Sequence, residues 1–278
     1  MKRVELNLEY FNNTYGLSCV ENILLYILNA NKVATPLLYF SSFLTIAEIE
    51  KSMISTATYA AFDGVKRLQD VAVEEKIIDM QFMDGRNLEG VGDSLYCCAM
   101  IDPAFIQDKY NTKLWRSDHY ILISPSCTQG YDYINDYPRD IKHVSILEFE
   151  RYYSGKAILI KLCDEQPSND PTVYISRMTE TLKPDDPSYS ISCTDVLILR
   201  DIIGILRILR KRLFALFSLK YDLKFMTSYL NYLDRCYAAL EYMRVKQKYD
   251  MVKISNMIRE IVDLDRQSIL NIMYIAKQ

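Results

Sequence analysis

From residue 191 to residue 278 the chain carries one glycine, Gly204, and no proline. A stretch of that length without either breaker reads as helix interrupted only by short polar links. Apolar residues recur there at three- and four-residue spacing, the pattern of a helix with one buried face. Val196, Leu199, Ile202, Ile203, Leu206, Leu209, Leu213 and Leu216 mark that face across residues 194–219. Residues 222–248 and 251–276 carry further stripes, so the three segments predict a small antiparallel helical bundle. Charged residues interrupt the first stripe too often for a membrane span.

The first 190 residues have a different texture, with glycines, prolines and short alternating runs that read as mixed helices and strands. The polar stretch Lys183-Pro184-Asp185-Asp186-Pro187-Ser188 predicts a boundary between a domain at 1–183 and a helical domain at 190–278. Charge divides the same way. Residues 191–278 hold 15 Lys and Arg against 9 Asp and Glu, a balance of +6, whereas residues 1–190 hold 18 against 27, a balance of −9. Apolar residues at 50% and charged residues at 25% are those of a globular protein with a proper core. Met1 to Tyr10 alternates charged and apolar residues, which reads as no secretory signal. The seven cysteines are odd in number and lack metal-like spacing, so a reduced, cytoplasmic protein without a metal site is expected. The acidic overall balance and the absence of a recognition motif argue against nucleic acid.

Within the first domain, Asn12-Asn13-Thr14-Tyr15-Gly16-Leu17-Ser18-Cys19 reads as a loop that delivers a cysteine to the first turn of a buried helix. Ser18 or Cys19 suits the N-cap, Glu21 suits the positive first turn, and Ile23, Leu24, Ile27 and Leu28 face the core. A thiol at that position feels the helix dipole, which favours the thiolate. One of two histidines, His119, opens a strand, 119–124, after a polar turn; the strand 130–136 follows through turn chemistry, so the two form a hairpin. In such a hairpin Asp136 or Asn135 reaches the imidazole of His119 and fixes its tautomer, leaving the other ring nitrogen for a thiol. His143 lies in a connection and is read as solvent-facing. Further along, Ser145-Ile146-Leu147-Glu148 starts a helix with a capping-box pattern, and residues 157–162 return as a strand.

A cysteine that opens a helix, a later strand that begins His119-Tyr120, the acid Asp136 and then Ser145-x-x-Glu148-Phe149 together resemble the papain-like cysteine fold in its compact, bacteriocin-processing-peptidase form. Within that superfamily, Cys19-x-x-Asn22 with Leu25, the segment Ala34-Thr35-Pro36-Leu37-Leu38-Tyr39-Phe40 and the strand ending at Asp102 are similar to the N-terminal domain of butirosin-type acyltransferases. The likeness covers residues 10–165. It departs from the family at Phe40-Ser41-Ser42-Phe43, where glycines are usual, and at Asn13, where papain-like enzymes carry a glutamine.

The resemblance implies an α+β papain-like domain followed by the helical bundle, with Cys19 as nucleophile, His119 as base, Asp136 holding His119, and Asn13 as oxyanion donor. It implies an acyl-cysteine intermediate and transfer of an acyl group to a small amine, forming an amide in specialised-metabolite biosynthesis. The donor would be the phosphopantetheine thioester of an acyl or peptidyl carrier protein, with no cofactor bound to the chain itself. A peptidase or amidohydrolase on the same triad, and a binding module that has lost the chemistry, are the alternatives. The helical domain reads either as a packing appendage that forms a homodimer interface, or as a basic surface on which Arg207, Arg210, Lys211 and Arg212 dock the acidic carrier. No membrane partner is expected.

Overall fold

The structure, a computed structural model, describes residues 1–12, 14–56, 62–88, 90–112, 119–164 and 170–278. In chain order its regular elements are α1 (Cys19–Ala30), α2 (Ile46–Thr56), α3 (Leu68–Glu74), β1 (Ile78–Asp84), β2 (Tyr96–Ile101), α4 (Pro103–Tyr110), β3 (His119–Pro125), β4 (Gly130–Asp136), β5 (Arg139–Ser145), α5 (Ile146–Tyr152), β6 (Tyr153–Leu162), α6 (Pro171–Thr179), α7 (Val196–Phe217), α8 (Lys224–Lys246) and α9 (Met251–Ala276). Short 3-10 segments lie at Leu8–Phe11 and Thr35–Ser41. The class is α+β. Among the described residues no helix is long and apolar enough to cross a membrane.

Two compact units form. The first comprises Met1–Thr35 and Leu68–Ser168, and the second Pro36–Arg67 and Asn169–Gln278. Residues 36–67, placed with the N-terminal domain by the sequence reading, thus cluster with the helical residues. The cause is a set of long-range hydrogen bonds. Asp185 caps α2, its carboxylate accepting from the Ile46 N–H at 2.9 Å and the Ala47 N–H at 3.1 Å. Buried Glu50, one turn further along α2, accepts from the Tyr189 hydroxyl at 2.6 Å and from the Ser192 and Cys193 N–H groups at 2.8 Å.

The first unit is built on a six-stranded antiparallel sheet in the order β1-β6-β2-β3-β4-β5. β2 lies between β6 and β3, so its neighbours Cys97 and Cys98 point to opposite faces and both are fully buried. One face packs Cys97, Ala99, Ile121, Ile123 and Tyr133 against Phe105 of α4 and Phe149 of α5. Cys98, Leu122, Ile134 and Ile158 are buried on the other face, and α1 packs on β3 and β4. Short helices start where the sequence can cap them. Asp102 accepts from the Ala104 N–H with Pro103 at the first turn of α4, and Ser145 accepts from the Glu148 N–H at the start of α5.

In the second unit α7 packs on α2 and α8, and α8 on α9. Its centre holds charge. Arg210 of α7 is fully buried and donates from Nε and Nη2 to the two carboxylate oxygens of Asp265 on α9, at 2.6 and 2.8 Å. Tyr229 of α8 donates to the same carboxylate at 2.5 Å, so Asp265 ties three helices together. Burial first, then Asp265, pushes the Tyr229 hydroxyl well above the usual tyrosine range. Arg212 is also fully buried, with its Nη1 3.0 Å from the Ser42 hydroxyl and its guanidinium over the Tyr39 ring.

Lys211 pairs with Asp234 at 2.8 Å, and Arg207 reaches the same carboxylate at 3.4 Å while lying over the Tyr237 ring. Of the four cations expected to dock a carrier, Arg210 and Arg212 are internal rather than on the surface, and Arg207 and Lys211 are partly exposed and ion-paired within the unit. A buried pair broken on one side leaves an uncompensated charge, whereas a partly exposed pair is screened by water. Asp265→Ala should accordingly lower stability by about 3–5 kcal/mol in equilibrium denaturation. Lys211→Ala should cost no more than about 1 kcal/mol in the same measurement.

Candidate active site

The candidate nucleophile, Cys19, sits at a helix start that local side chains cap. Ser18 is the N-cap of α1 and its side chain accepts from the Glu21 N–H at 3.2 Å. Glu21, fully buried, turns back to accept from the Leu17 N–H and forward to accept from the Leu68 N–H at 2.9 Å, where α3 begins. This is a capping-box arrangement shifted by one residue, and it satisfies donors that a helix start would otherwise orphan. Cys19 is the first residue of α1, buried, with 8% of its surface exposed.

One turn on, Asn22 accepts from the Gly16 N–H at 3.0 Å and donates from Nδ2 to Oδ2 of Asp136 at 3.0 Å. A Cβ at position 16 would stand 2.4 Å from the Asn22 side-chain oxygen, so this approach requires glycine. The loop before Cys19, the first turn of α1 and the end of β4 are thereby tied together.

His119 opens β3 and is buried at 4% exposure. Its hydrogen-bond partner is Asn135, whose Oδ1 lies 2.6 Å from Nε2. The register explains the choice. β3 and β4 pair Leu122 with Ile134, and continuing that register sets Asn135 opposite Ile121, on the face that His119 shares. Asp136 points to the other face, where Asn22 meets it. At the strand ends the faces converge, and Oδ1 of Asp136 comes within 3.8 Å of His119 Nε2, beyond hydrogen-bond distance but within ion-pair range.

The amide of Asn135 is itself oriented. Its Nδ2 donates to the Pro138 carbonyl at 2.8 Å. A carbonyl only accepts, so the amide nitrogen must face Pro138 and the amide oxygen must face the imidazole. An acceptor at Nε2 requires the proton there, which leaves Nδ1 of the neutral ring with a bare lone pair.

Of the residues read from sequence, the structure brings His119 and Asp136 together, adds Asn135 as the orienting partner, and ties Asp136 through Asn22 to the turn that Cys19 opens. Asn13 lies outside the described residues. His143, half-exposed, meets Asp132 at 3.0 Å near the other end of the hairpin. Asn22 was singled out only through the family likeness; its i+3 spacing from Cys19 is the signal that places it on the same helical turn. The buried thiols of Cys97, Cys98 and Cys236 are poor nucleophiles. Burial pushes Cys97 up to about 12 and Cys236 up to about 11, and burial together with Cys97 and Cys19 holds Cys98 well above the thiol range. Among the described residues no cluster of three His, Cys, Asp or Glu suits a metal ion.

Peptide mapping after iodoacetamide treatment at pH 7 should find label on Cys19 and on exposed Cys127, with Cys97 and Cys98 unlabelled. If His119 takes the Cys19 proton, His119→Ala should slow labelling of Cys19 by about tenfold or more and leave Cys127 unchanged. Comparison of the chain with protein-family models and with curated proteins finds no match in either, so the chemistry of the site rests on its own geometry.

Proposed function

We propose that the chain is a cysteine acyltransferase of papain-like type that forms an amide through an acyl-Cys19 intermediate. The observation that carries this reading is the tautomer of His119, held by Asn135 with Nδ1 free to take a proton. In the first half-reaction the Cys19 S–H bond breaks and its proton moves to His119 Nδ1. The sulfur attacks the acyl carbonyl of a thioester, and the developing oxyanion forms at the N-terminal turn of α1, where the backbone N–H groups point out of the helix. Asn13 is proposed as the second donor. The carbon–sulfur bond of the donor then breaks, and its thiol leaves with the proton from Nδ1.

In the second half-reaction an amine attacks the acyl-Cys19 carbonyl, giving a proton to Nδ1 as the amide forms. Collapse of that adduct returns the proton to the Cys19 sulfur. The donor on this reading is the phosphopantetheine thioester of a carrier protein, met in the cytoplasm. Of the four cations assigned to its capture, Arg207 and Lys211 keep part of their surface exposed, whereas Arg210 and Arg212 are internal.

A hydrolase reading has one observation in its favour: an asparagine, rather than a carboxylate, orients the histidine, as in cysteine peptidases of the papain type. Water would then replace the amine. One incubation separates the two. The full chain is given a small acyl thioester and a primary amine, and the products are resolved by mass. Amide accumulation supports the transferase, free acid the hydrolase, and Cys19→Ser should abolish either. If acid-quenched protein carries no acyl adduct on Cys19 while the thioester remains intact, both readings fail.

A further inference from the structure

The sequence-level triad leaves Asn22 without a role, and Asp136 without the hydrogen bond to His119 expected of it. The geometry points to a joint function: we propose that Asn22 is a positioning residue that sets the Asp136 carboxylate beside the His119 imidazole, where it stabilises the imidazolium formed when Cys19 gives up its proton. This rests on the acyl-transfer reading above and adds a residue to it.

Three observations carry the inference. Asn22 holds one carboxylate oxygen, Oδ2, at 3.0 Å, and its own side-chain oxygen is fixed by the Gly16 N–H at 3.0 Å, so the amide cannot turn over without losing both bonds. The second oxygen, Oδ1, is buried, finds no hydrogen-bond partner among the described residues, and lies 3.8 Å from Nε2 of His119. The Asp136 side chain is 8% exposed and that of His119 5%, so water screens this pair little. A carboxylate at that distance does nothing for a neutral ring beyond polarising it. Once the proton moves from Cys19 Sγ to His119 Nδ1, the ring carries a full charge, with Nε2–H still donated to Asn135, and the carboxylate faces it directly.

The charged and titratable groups around His119 among the described residues are consistent with this assignment. α1 carries Cys19 and Glu21 in its first turn, the latter engaged with the Leu17 and Leu68 N–H groups. On β2 the residue in register with His119 is Ile101, and Cys98 lies on the opposite face. On β4 the acid is Asp136, and on β5 it is paired in register with Arg139, whose guanidinium lies over the Phe11 ring.

The test is the pH dependence of Cys19 alkylation by iodoacetamide, read by peptide mapping on the full chain between pH 5 and 9. Loss of a carboxylate facing an imidazolium at this range shifts the proton equilibrium by about one unit or more. Asn22→Leu should therefore slow Cys19 labelling at pH 6.5 by about tenfold and move its inflection to higher pH. Asp136→Asn, which keeps the size of the side chain and an acceptor for Asn22, should do the same. The double variant should be no slower than Asp136→Asn alone, because Asn22 acts through Asp136. Cys97 and Cys98 report folding in every sample: they remain unlabelled while the sheet is intact. Should Asn22→Leu expose them, Asp136→Asn still decides the matter.

An unchanged profile in Asp136→Asn, or losses that multiply in the double variant, overturns the inference while a His119-dependent profile keeps the acyl-transfer reading standing. A wild-type profile that His119→Ala does not alter removes both.

Discussion

The side chain of Asn135 can sit only one way round. Its nitrogen meets the Pro138 carbonyl and its oxygen meets His119, and neither contact survives exchange of the two ends. From that single orientation the protonation of the imidazole follows, and from the protonation follows the availability of Nδ1. The sheet supplies the rest of the constraint. β3 and β4 are in register up to Leu122 and Ile134, so the residues just beyond the ladder are delivered to the same end of the sheet with their faces already chosen.

The first turn of α1 shows the same economy. Ser18, Glu21 and Asn22 are polar residues at the start of a helix that is otherwise buried, and each has a separate task. Ser18 caps the helix start, Glu21 joins it to the preceding loop and to α3, and Asn22 joins it to β4. A site carried on strands and a capped helix is held by backbone already fixed elsewhere, which is what the proposed proton transfer between Cys19 and His119 demands.

Much of this was legible in the sequence. The α1 helix, the 119–136 hairpin and the C-terminal helices follow from apolar period and turn chemistry, and α9 spans the residues its stripe marks. What escaped did so for identifiable reasons. β1 lies at the edge of the sheet with Asp79, Gln81, Phe82 and Asp84 exposed, so it lacks the apolar signature of its neighbours. The allegiance of residues 36–67 depends on Asp185 and Glu50, whose partners lie far along the chain and leave no local pattern. Arg210 was read as surface because it is charged. Its position between Leu206 and Leu213 places it on the apolar stripe of α7, and Asp265 lies likewise between Ile261 and Ile269 of α9. Two opposite charges, each at a core position of its own helix, are the visible mark of a buried pair. Choosing Asn135 over Asp136 needed the strand register, which turn length alone does not specify.

The most direct measurement is the tautomer of His119 itself. The chain has only two histidines, so nitrogen-15 spectra of histidine-labelled protein, assigned with a His143→Gln variant, resolve each ring nitrogen separately. At a pH where the ring is neutral, the account predicts a proton on Nε2 and an unprotonated Nδ1 for His119, and loss of that preference in Asn135→Ala. A proton on Nδ1 in the intact protein would contradict it, because the imidazole would then have no base to offer a thiol on that side.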